Sequence, residues 1–438
     1  MKRSVKIAKR PLKKSDLSFA LLSLMFFWFM HPFSLRGAGY AVYILKYVAP
    51  FCFLLFFRFR YARRALSTLF RKRERQYAHF FLLFSLWALV TISFNGSNDL
   101  SFYNNLLSVL RVLLYFLFLS CFLKRYPNLL MSKTLFEQFM TFYIIGNVLY
   151  VSFTLILVAF PAFKGFWFRL ISLSAMDRQL LSEPIYQNRI GIDGFAGYRN
   201  AFSCAVSMIF SLFLSEAYPK ERKKYIFFAV MCVTGNVFYG RSGLAVSIVC
   251  ALLYAVWYQK INFRRLIKAL LIAALIYFLG SAFLVSKNAS MRTTLSWAFN
   301  PLIELATTGK STNYSFNHMM YDMTFMPPLK TLLIGDGYYT EPGTGHYYMR
   351  TDLGFMRVTL FGGLPACVLI YGTVLFGILS FRKQSGYLVC ALALAFCAFE
   401  FKGDIWYSLM PLLMILTILE RLERNAHAIS KRYYERLS

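Results

Sequence analysis

The sequence has 438 residues, of which 58% are hydrophobic, and it carries a formal net charge of +30. Soluble globular proteins are about 45–50% apolar, so this composition excludes a soluble fold. In a soluble chain so large a charge would suggest a nucleic-acid partner, but here basic segments alternate with apolar blocks, and we expect no nucleic acid to bind.

Twelve apolar blocks approach the roughly 20 residues that cross a bilayer as a helix. In chain order we place the predicted spans at 17–35, 40–57, 78–94, 101–123, 135–160, 200–217, 225–240, 243–258, 267–286, 352–380, 386–400 and 404–420. The predicted fold is therefore an all-α integral membrane bundle. It forms a single transmembrane domain over 17–420, between basic tails at 1–16 and 421–438. The N-terminal basic run is similar to the start of a signal peptide, but a second span follows directly, so we interpret 17–35 as a retained helix.

The basic residues are unevenly distributed between the two sides of this bundle. Of 49 Lys and Arg residues, 33 fall in seven segments that share one side when the spans alternate: 1–16, 58–77, 124–134, 219–224, 259–268, 381–385 and 421–438. The positive-inside rule places that side in the cytoplasm. We therefore predict a multi-pass protein of the bacterial inner membrane with cytoplasmic termini, whose basic tails contact membrane lipids.

Two sizeable loops then face the periplasm. The first, 161–199, ends in a Gly-rich stretch that runs from Arg189 to Arg199 and Asn200, where the next span begins. Glycines allow a backbone to approach a ligand closely, and the planar guanidinium suits bidentate contact with phosphate oxygens. Arg241 lies in a tight Gly-Arg-Ser-Gly turn between two spans on the same side. These residues predict a diphosphate site, although arginines that only anchor in lipid headgroups are the alternative.

The second loop, 287–351, ends in the densest group of glycine, tyrosine and ionisable residues in the chain. Asp352 and His346 are the leading candidates for a general base. We expect the helix dipole and nearby Arg350 to lower the pKa of Asp352, whereas His346 has the better intrinsic pKa for proton transfer near neutrality. Arg357 lies near the start of the following span, where it can point towards the loops.

Three short motifs accompany this layout. An Arg-Asn pair opens the span at 200, an Arg-Ser-Gly turn begins at Arg241, and Asp352-Leu-Gly-Phe followed by Gly362-Gly363 opens a long span. With many spans and two large exterior loops, these motifs resemble the O-antigen polymerase (Wzy) family, which shares a fold with the O-antigen ligases. Ligases typically have histidine where Asp352 stands and leucine where Met356 stands, and this departure favours a polymerase.

The resemblance implies an integral-membrane glycosyltransferase acting at the periplasmic face. It would move a growing glycan from undecaprenyl diphosphate onto an incoming lipid-linked repeat unit, with a chain-length regulator protein as a candidate partner. The diphosphate-binding residues are then Arg189, Arg199, Asn200, Arg241 and Arg357, and the catalytic residues are Asp352, His346 and Arg350. No metal or other cofactor is expected, since the exterior loops have no Asp-x-Asp motif.

Two other functions stay open. A ligase performs the same chemistry with a lipid A core as acceptor. A repeat-unit flippase or other secondary transporter belongs to a different class, and would show several polar groups in the middle of its spans and matched broken helices. The ionisable groups of this chain are concentrated outside the spans instead.

Overall fold

The computed structural model describes residues 14–69, 75–125, 133–183, 186–259, 296 and 317–435. The predicted span 267–286, much of the loop 287–351 and most of the N-terminal tail lie outside the described residues. Within them the chain is almost entirely helical, as the sequence predicts.

The α-helices are α1 (Lys14–Met30), α2 (Gly39–Tyr43), α3 (Ala49–Cys52), α4 (Phe59–Leu69), α5 (Arg75–Asn95), α6 (Ser101–Arg125), α7 (Leu135–Ala159), α8 (Pro161–Leu170), α9 (Ala175–Ser182), α10 (Tyr198–Ala217), α11 (Arg222–Tyr239), α12 (Arg241–Gln259), α13 (Leu329–Leu333), α14 (Gly354–Leu379), α15 (Gly386–Lys402) and α16 (Trp406–Glu435). Three π-helical segments are Ile44–Val48, Phe53–Phe57 and His318–Asp322, and three 3-10 turns are Pro219–Glu221, Tyr348–Arg350 and Ser380–Lys383. Strand β1 (Ile190–Gly191) pairs antiparallel with β2 (Gly194–Phe195).

Six of the described helices are long and apolar enough to cross a membrane. They are α5, α6, α7, α10, α12 and α14. The prediction of an all-α, multi-pass membrane protein is therefore confirmed as a fold class. Helices also occupy the predicted spans 17–35, 40–57, 225–240, 386–400 and 404–420, but they are not among the six, so the count of twelve stays a prediction.

Helix α10 is buried at the centre of the bundle because small residues let its neighbours approach closely. A Cβ added to Gly235 of α11 would lie 3.3 Å from Cys204 Sγ on α10, and one added to Gly243 of α12 would lie 2.8 Å from the Cβ of Ala201. Small residues at helix contacts are a common packing device in membranes. The resulting close packing of α10, α11 and α12 places their ends next to one another.

The described basic segments lie at one end of the bundle, here called the basic end. Lys133, before α7, forms an ion pair with Glu221 between α10 and α11. Lys124 of α6 lies 5.5 Å from the ring centroid of Tyr61 on α4, and the segment 380–385 reaches α16 through a hydrogen bond between its Gln384 and Glu420. The sequence prediction that these segments share one side therefore agrees with the structure, while the compartment that they face stays a prediction.

The opposite end, here called the site end, contains a break in helix α14. Gly363 has φ +67° and Pro365 follows it, so the helical hydrogen-bond pattern is interrupted. The freed carbonyl of Leu360 accepts the N–H of Asp336 at 2.7 Å, and that of Phe361 accepts the N–H of Gly337 at 3.0 Å. Backbone groups within a membrane bundle need such internal partners, and the second loop supplies them. The loop is thereby attached directly to α14.

Candidate functional site

The first large loop is held against α7 by buried hydrogen bonds. Tyr150 Oη donates to Asp193 at 2.7 Å, and Thr154 Oγ1 donates to the carbonyl of Ile190 at 2.9 Å. A Cβ on Gly191 would lie only 1.8 Å from Tyr150 Oη. This glycine therefore allows the β-hairpin to pack on a tyrosine, whereas the sequence suggested that it frees the backbone for a ligand.

The hairpin places Arg189 at the end of α11. Its guanidinium donates to the carbonyl of Tyr239 at 2.7 Å and lies 4.8 Å from the ring centroid of Phe195. Burial lowers the pKa of Arg189 to about 10; the neighbouring Tyr186 opposes this shift, and the positive charge of Arg241 adds to it. Two like charges are thus close enough to destabilise one another.

Arg241 is positioned by a very short helical hairpin. Only Gly240 separates α11 from α12, and Arg241 is the first residue of α12. Asn236 Nδ2 closes the turn by donating to the carbonyl of Gly243 at 3.2 Å and to Ser247 Oγ at 2.8 Å. The predicted tight turn is confirmed, and it brings Arg241 to the site end beside Arg189.

Arg199 and Asn200 lie in the first turn of α10 but have different roles there. Asn200 Oδ1 accepts the backbone N–H of Gly197 at 3.2 Å and so caps the helix. Arg199 is exposed, donates to the hydroxyl of Tyr407 on α16, and lies 4.9 Å from the centroid of that ring. The structure therefore directs Arg199 towards the start of α16.

Arg357 is enclosed by protein. Its guanidinium lies between two aromatic rings, 4.1 Å from the centroid of Tyr339 and 3.7 Å from that of Tyr347. Its Nη1 is 3.8 Å from Asp404 Oδ2, and the two side chains are only 7% and 1% exposed. Asn105 also donates to Asp404 Oδ2, at 3.3 Å. Within the described part of the chain, Arg357 Nε and Asp404 Oδ1 have no hydrogen-bond partner.

Asp352 lies just before α14 and is reached by solvent. The protein around the carboxylate still desolvates it and raises its pKa, against the opposing charges of Arg357, His318 and Lys402. The expected lowering of this pKa is therefore wrong. Asp352 precedes the first turn of the helix, and Arg350 is not among the charges that act on it.

His346 and Arg350 are not brought into the cluster. Both are exposed, and neither side chain has a hydrogen bond or ion pair with any residue that the structure describes. Arg350 has a positive φ of 52° and ends the 3-10 turn Tyr348–Arg350. Their predicted catalytic roles stay predictions.

The short connection between α15 and α16 contributes site residues that were not predicted. Lys402 is exposed and interacts electrostatically with Arg189, Arg241 and Asp352. Asp404, two residues later, pairs with Arg357. The charged stretch Glu400-Phe-Lys-Gly-Asp404 between two apolar spans was the signal that could have revealed these residues.

A cavity of about 560 Å³ lies at the basic end, far along the bundle from this cluster. The acidic side chains that line it form hydrogen bonds or ion pairs with neighbouring groups. Glu137 accepts the N–H of Thr134 at 2.9 Å and caps α7, and Glu420 pairs with Arg424. We therefore interpret this cavity as a gap between helix ends, separate from the candidate site.

The described residues include no group of three or more His, Cys, Asp or Glu side chains that could hold a metal ion, and the expectation that no cofactor is needed stays a prediction. No protein-family model matches the sequence, and no curated protein or solved structure matches it either. The resemblance to O-antigen polymerases therefore stays a prediction, and the candidate site is defined by its geometry.

Proposed function

We propose that this protein is an integral-membrane glycosyltransferase of the O-antigen polymerase kind, which moves a growing glycan from undecaprenyl diphosphate to an incoming lipid-linked repeat unit. The observation that supports this most is the convergence of Arg189, Arg241 and Lys402 at one end of a helix bundle. Asp352 precedes the helix whose Phe355 stacks on Phe401, the neighbour of Lys402. A cluster of positive groups at a surface attracts an anion. A lipid diphosphate supplies such an anion at the membrane surface.

In the proposed reaction a hydroxyl of the acceptor sugar attacks the anomeric carbon of the donor glycan. The new glycosidic bond forms as the bond from that carbon to the diphosphate oxygen breaks, and the lipid diphosphate leaves with the electron pair. Positive groups fixed around the diphosphate stabilise the charge that develops on it. This is the role that we assign to Arg189 and Arg241, with Arg199 close to the same end of the bundle.

Asp352 is our first candidate for accepting the proton of the attacking hydroxyl. Its raised pKa makes the carboxylate a stronger base than an ordinary aspartate, which improves proton transfer near neutrality. His346, on the exposed part of the same loop, is the second candidate. Tyr347 covers Arg357 with one face and is 42% exposed, so its ring also offers a surface on which a sugar can stack.

A deletion strain tests this proposal through its surface glycan. A polymerase is expected to leave single repeat units on the lipid A core and to remove the long chains. Uncapped core together with lipid-linked polymer would show a ligase instead. Lipid-linked repeat units confined to the cytoplasmic leaflet would show a flippase, and an unchanged glycan would contradict all three.

Complementation of that strain tests the arginines. Alanine at Arg189, Arg199 or Arg241 should abolish long chains at normal protein levels. Lysine should restore them only in part, because it keeps the charge but loses the planar fork. Arg382→Ala, an exposed site at the basic end, is the matched control and should behave as wild type. If all three alanine variants still make long chains, the assigned diphosphate site is wrong.

A further inference from the structure

Lys402 occupies a position that packing on both sides makes rigid. The preceding residue, Phe401, stacks on Phe355 of α14 with ring centroids 5.7 Å apart and an interplanar angle of 19°. The following residue, Gly403, lies against Tyr198 of α10, so closely that a Cβ there would be 3.1 Å from the ring. The end of α15 is thus attached to two other helices, and Lys402 projects from a fixed point.

The charge of Lys402 faces two cations and one acid. Tyr198, which Gly403 touches, donates to the carbonyl of Asp404 at 2.6 Å. On the same helix, Ala201 packs against Gly240 and Gly243 beside Arg241, so the end of α15 lies near the turn that holds Arg241. The electrostatic coupling of Lys402 to Arg189, Arg241 and Asp352 agrees with this placement, and its ammonium group forms no hydrogen bond or ion pair with the described residues. Arg357, by comparison, has Asp404 at 3.8 Å and two aromatic rings around it. Arg357 therefore has its partners within the protein, whereas Lys402 is exposed and available to a ligand.

We propose that Lys402 binds the departing diphosphate together with Arg189 and Arg241, and thereby sets the orientation of the donor. That the anion is a lipid diphosphate rests on the proposed function. An ammonium group is a compact point charge with three donors, so it can bind a phosphate oxygen that the two guanidinium groups leave open. Lys402 also interacts with Asp352. A diphosphate bound to Lys402 therefore directs the anomeric carbon towards the carboxylate that receives the acceptor's proton.

Binding of undecaprenyl diphosphate without a glycan tests this role apart from polymer synthesis. The full-length protein is placed in nanodiscs of neutral lipid, and the affinity for the probe is compared between wild type, Lys402→Met and Lys402→Arg. A hydrogen bond between charged groups contributes about 1.5–3 kcal/mol, so Lys402→Met should weaken binding about tenfold or more. Lys402→Arg should stay within about threefold. Lys383→Met, at an exposed position of the basic end, is the matched control and should bind as wild type.

Three competitors identify the anion that is bound. Inorganic pyrophosphate should displace the probe in a manner that depends on Lys402, and undecaprenyl monophosphate should bind more weakly and lose less in Lys402→Met. If phosphatidylglycerol competes as well as pyrophosphate, the site is a general headgroup site and the inference is wrong. The inference is also wrong if Lys402→Met has the melting temperature of wild type and binds the probe with equal affinity. It is wrong as well if the wild-type protein does not bind the probe.

The outcome for Lys402 can be separated from the outcome for the proposed function. If binding depends on Lys402 but the deletion strain keeps its long chains, the diphosphate site stands and the polymerase proposal fails. If long chains are lost but Lys402→Met binds the probe as wild type does, the polymerase proposal stands and the role of Lys402 fails.

Discussion

Replacing Arg357 by methionine should destabilise the folded protein, since it removes the guanidinium that contacts the buried Asp404. Asp404 is 1% exposed and lies 3.8 Å from Arg357 Nη1. At this distance, with an effective dielectric constant of about 20, the attraction is on the order of 4 kcal/mol. The two tyrosine rings add about 0.5–2 kcal/mol each. Burial raises the pKa of Asp404 well above its usual range, against the charge of Arg199, so Asp404 can take up a proton once Arg357 is gone. Methionine also recovers part of the packing. We therefore expect a net loss of about 1–3 kcal/mol, as for a buried polar group left unsatisfied.

A double-mutant cycle separates the ion pair from general damage to packing. Asp404→Asn alone leaves Arg357 buried beside a neutral amide, and the double variant Arg357→Met, Asp404→Asn removes both charges. The double variant should therefore be less destabilised than the sum of the single variants by at least about 1 kcal/mol. The free energy of unfolding is measured in mixed detergent micelles by circular dichroism. Arg382→Met, exposed at the basic end, serves as the control and should change it by less than about 0.5 kcal/mol.

The cycle also contains the result that would refute this reasoning. Additive effects, within about 0.5 kcal/mol, would show that Arg357 and Asp404 do not interact as a pair. The stability of Arg357→Met would then reflect only its contacts with Tyr339 and Tyr347.

Three further predictions concern the base, the first loop and the topology. Because burial raises the pKa of Asp352, polymerisation by purified protein should increase as the pH rises through a value above 3.8. The contribution of Asp352 to stability has the opposite pH dependence. It is full below pH 3.8 and is lost as the pH rises through the raised pKa. Asp352→Asn should abolish polymer, and wild-type chain lengths in this variant would exclude the carboxylate as base. Gly191→Ala should lower the melting temperature, because the added Cβ would lie 1.8 Å from Tyr150 Oη. Gly372→Ala is the control and should not lower it, because no atom lies within 4 Å of a Cβ there. Equal melting temperatures for the two variants would contradict the hairpin packing. A periplasm-active reporter inserted in 161–199 should be active and one fused to the C-terminus inactive, and the reverse pattern would invert the predicted topology.

The sequence predicted the features that depend on composition and short-range pattern. Apolar blocks predicted the helices, and the distribution of basic residues predicted that the segments 124–134, 219–224 and 381–385 share one side. The turn containing Arg241 was predicted because a Gly-Arg-Ser-Gly stretch between apolar spans permits little else. These signals are local, so they can be read from neighbouring residues alone.

The parts that could not be predicted depend on contacts between distant segments. Lys402 joins Arg189 and Arg241 only because α15 packs against α10 and α12, and no local pattern specifies that neighbourhood. Arg357 is enclosed by rings from a loop whose position depends on a break in its own helix. The direction of the pKa shift of Asp352 was wrong because desolvation depends on how the surrounding chain folds, which the residues beside Asp352 do not reveal.

The break in α14 constrains sequence variation at the site end. A Cβ on Gly335 would lie 2.2 Å from the carbonyl oxygen of Phe361, and one on Gly363 would lie 2.8 Å from that of Leu332. Each glycine has a positive φ, and the atoms that an added Cβ would meet belong to the backbone. A smaller neighbouring side chain therefore could not make room for it. A larger residue at one position cannot be accommodated by a smaller one at the other. The two positions are therefore expected to tolerate substitution less than most of the apolar core, where one side chain can shrink as its neighbour grows.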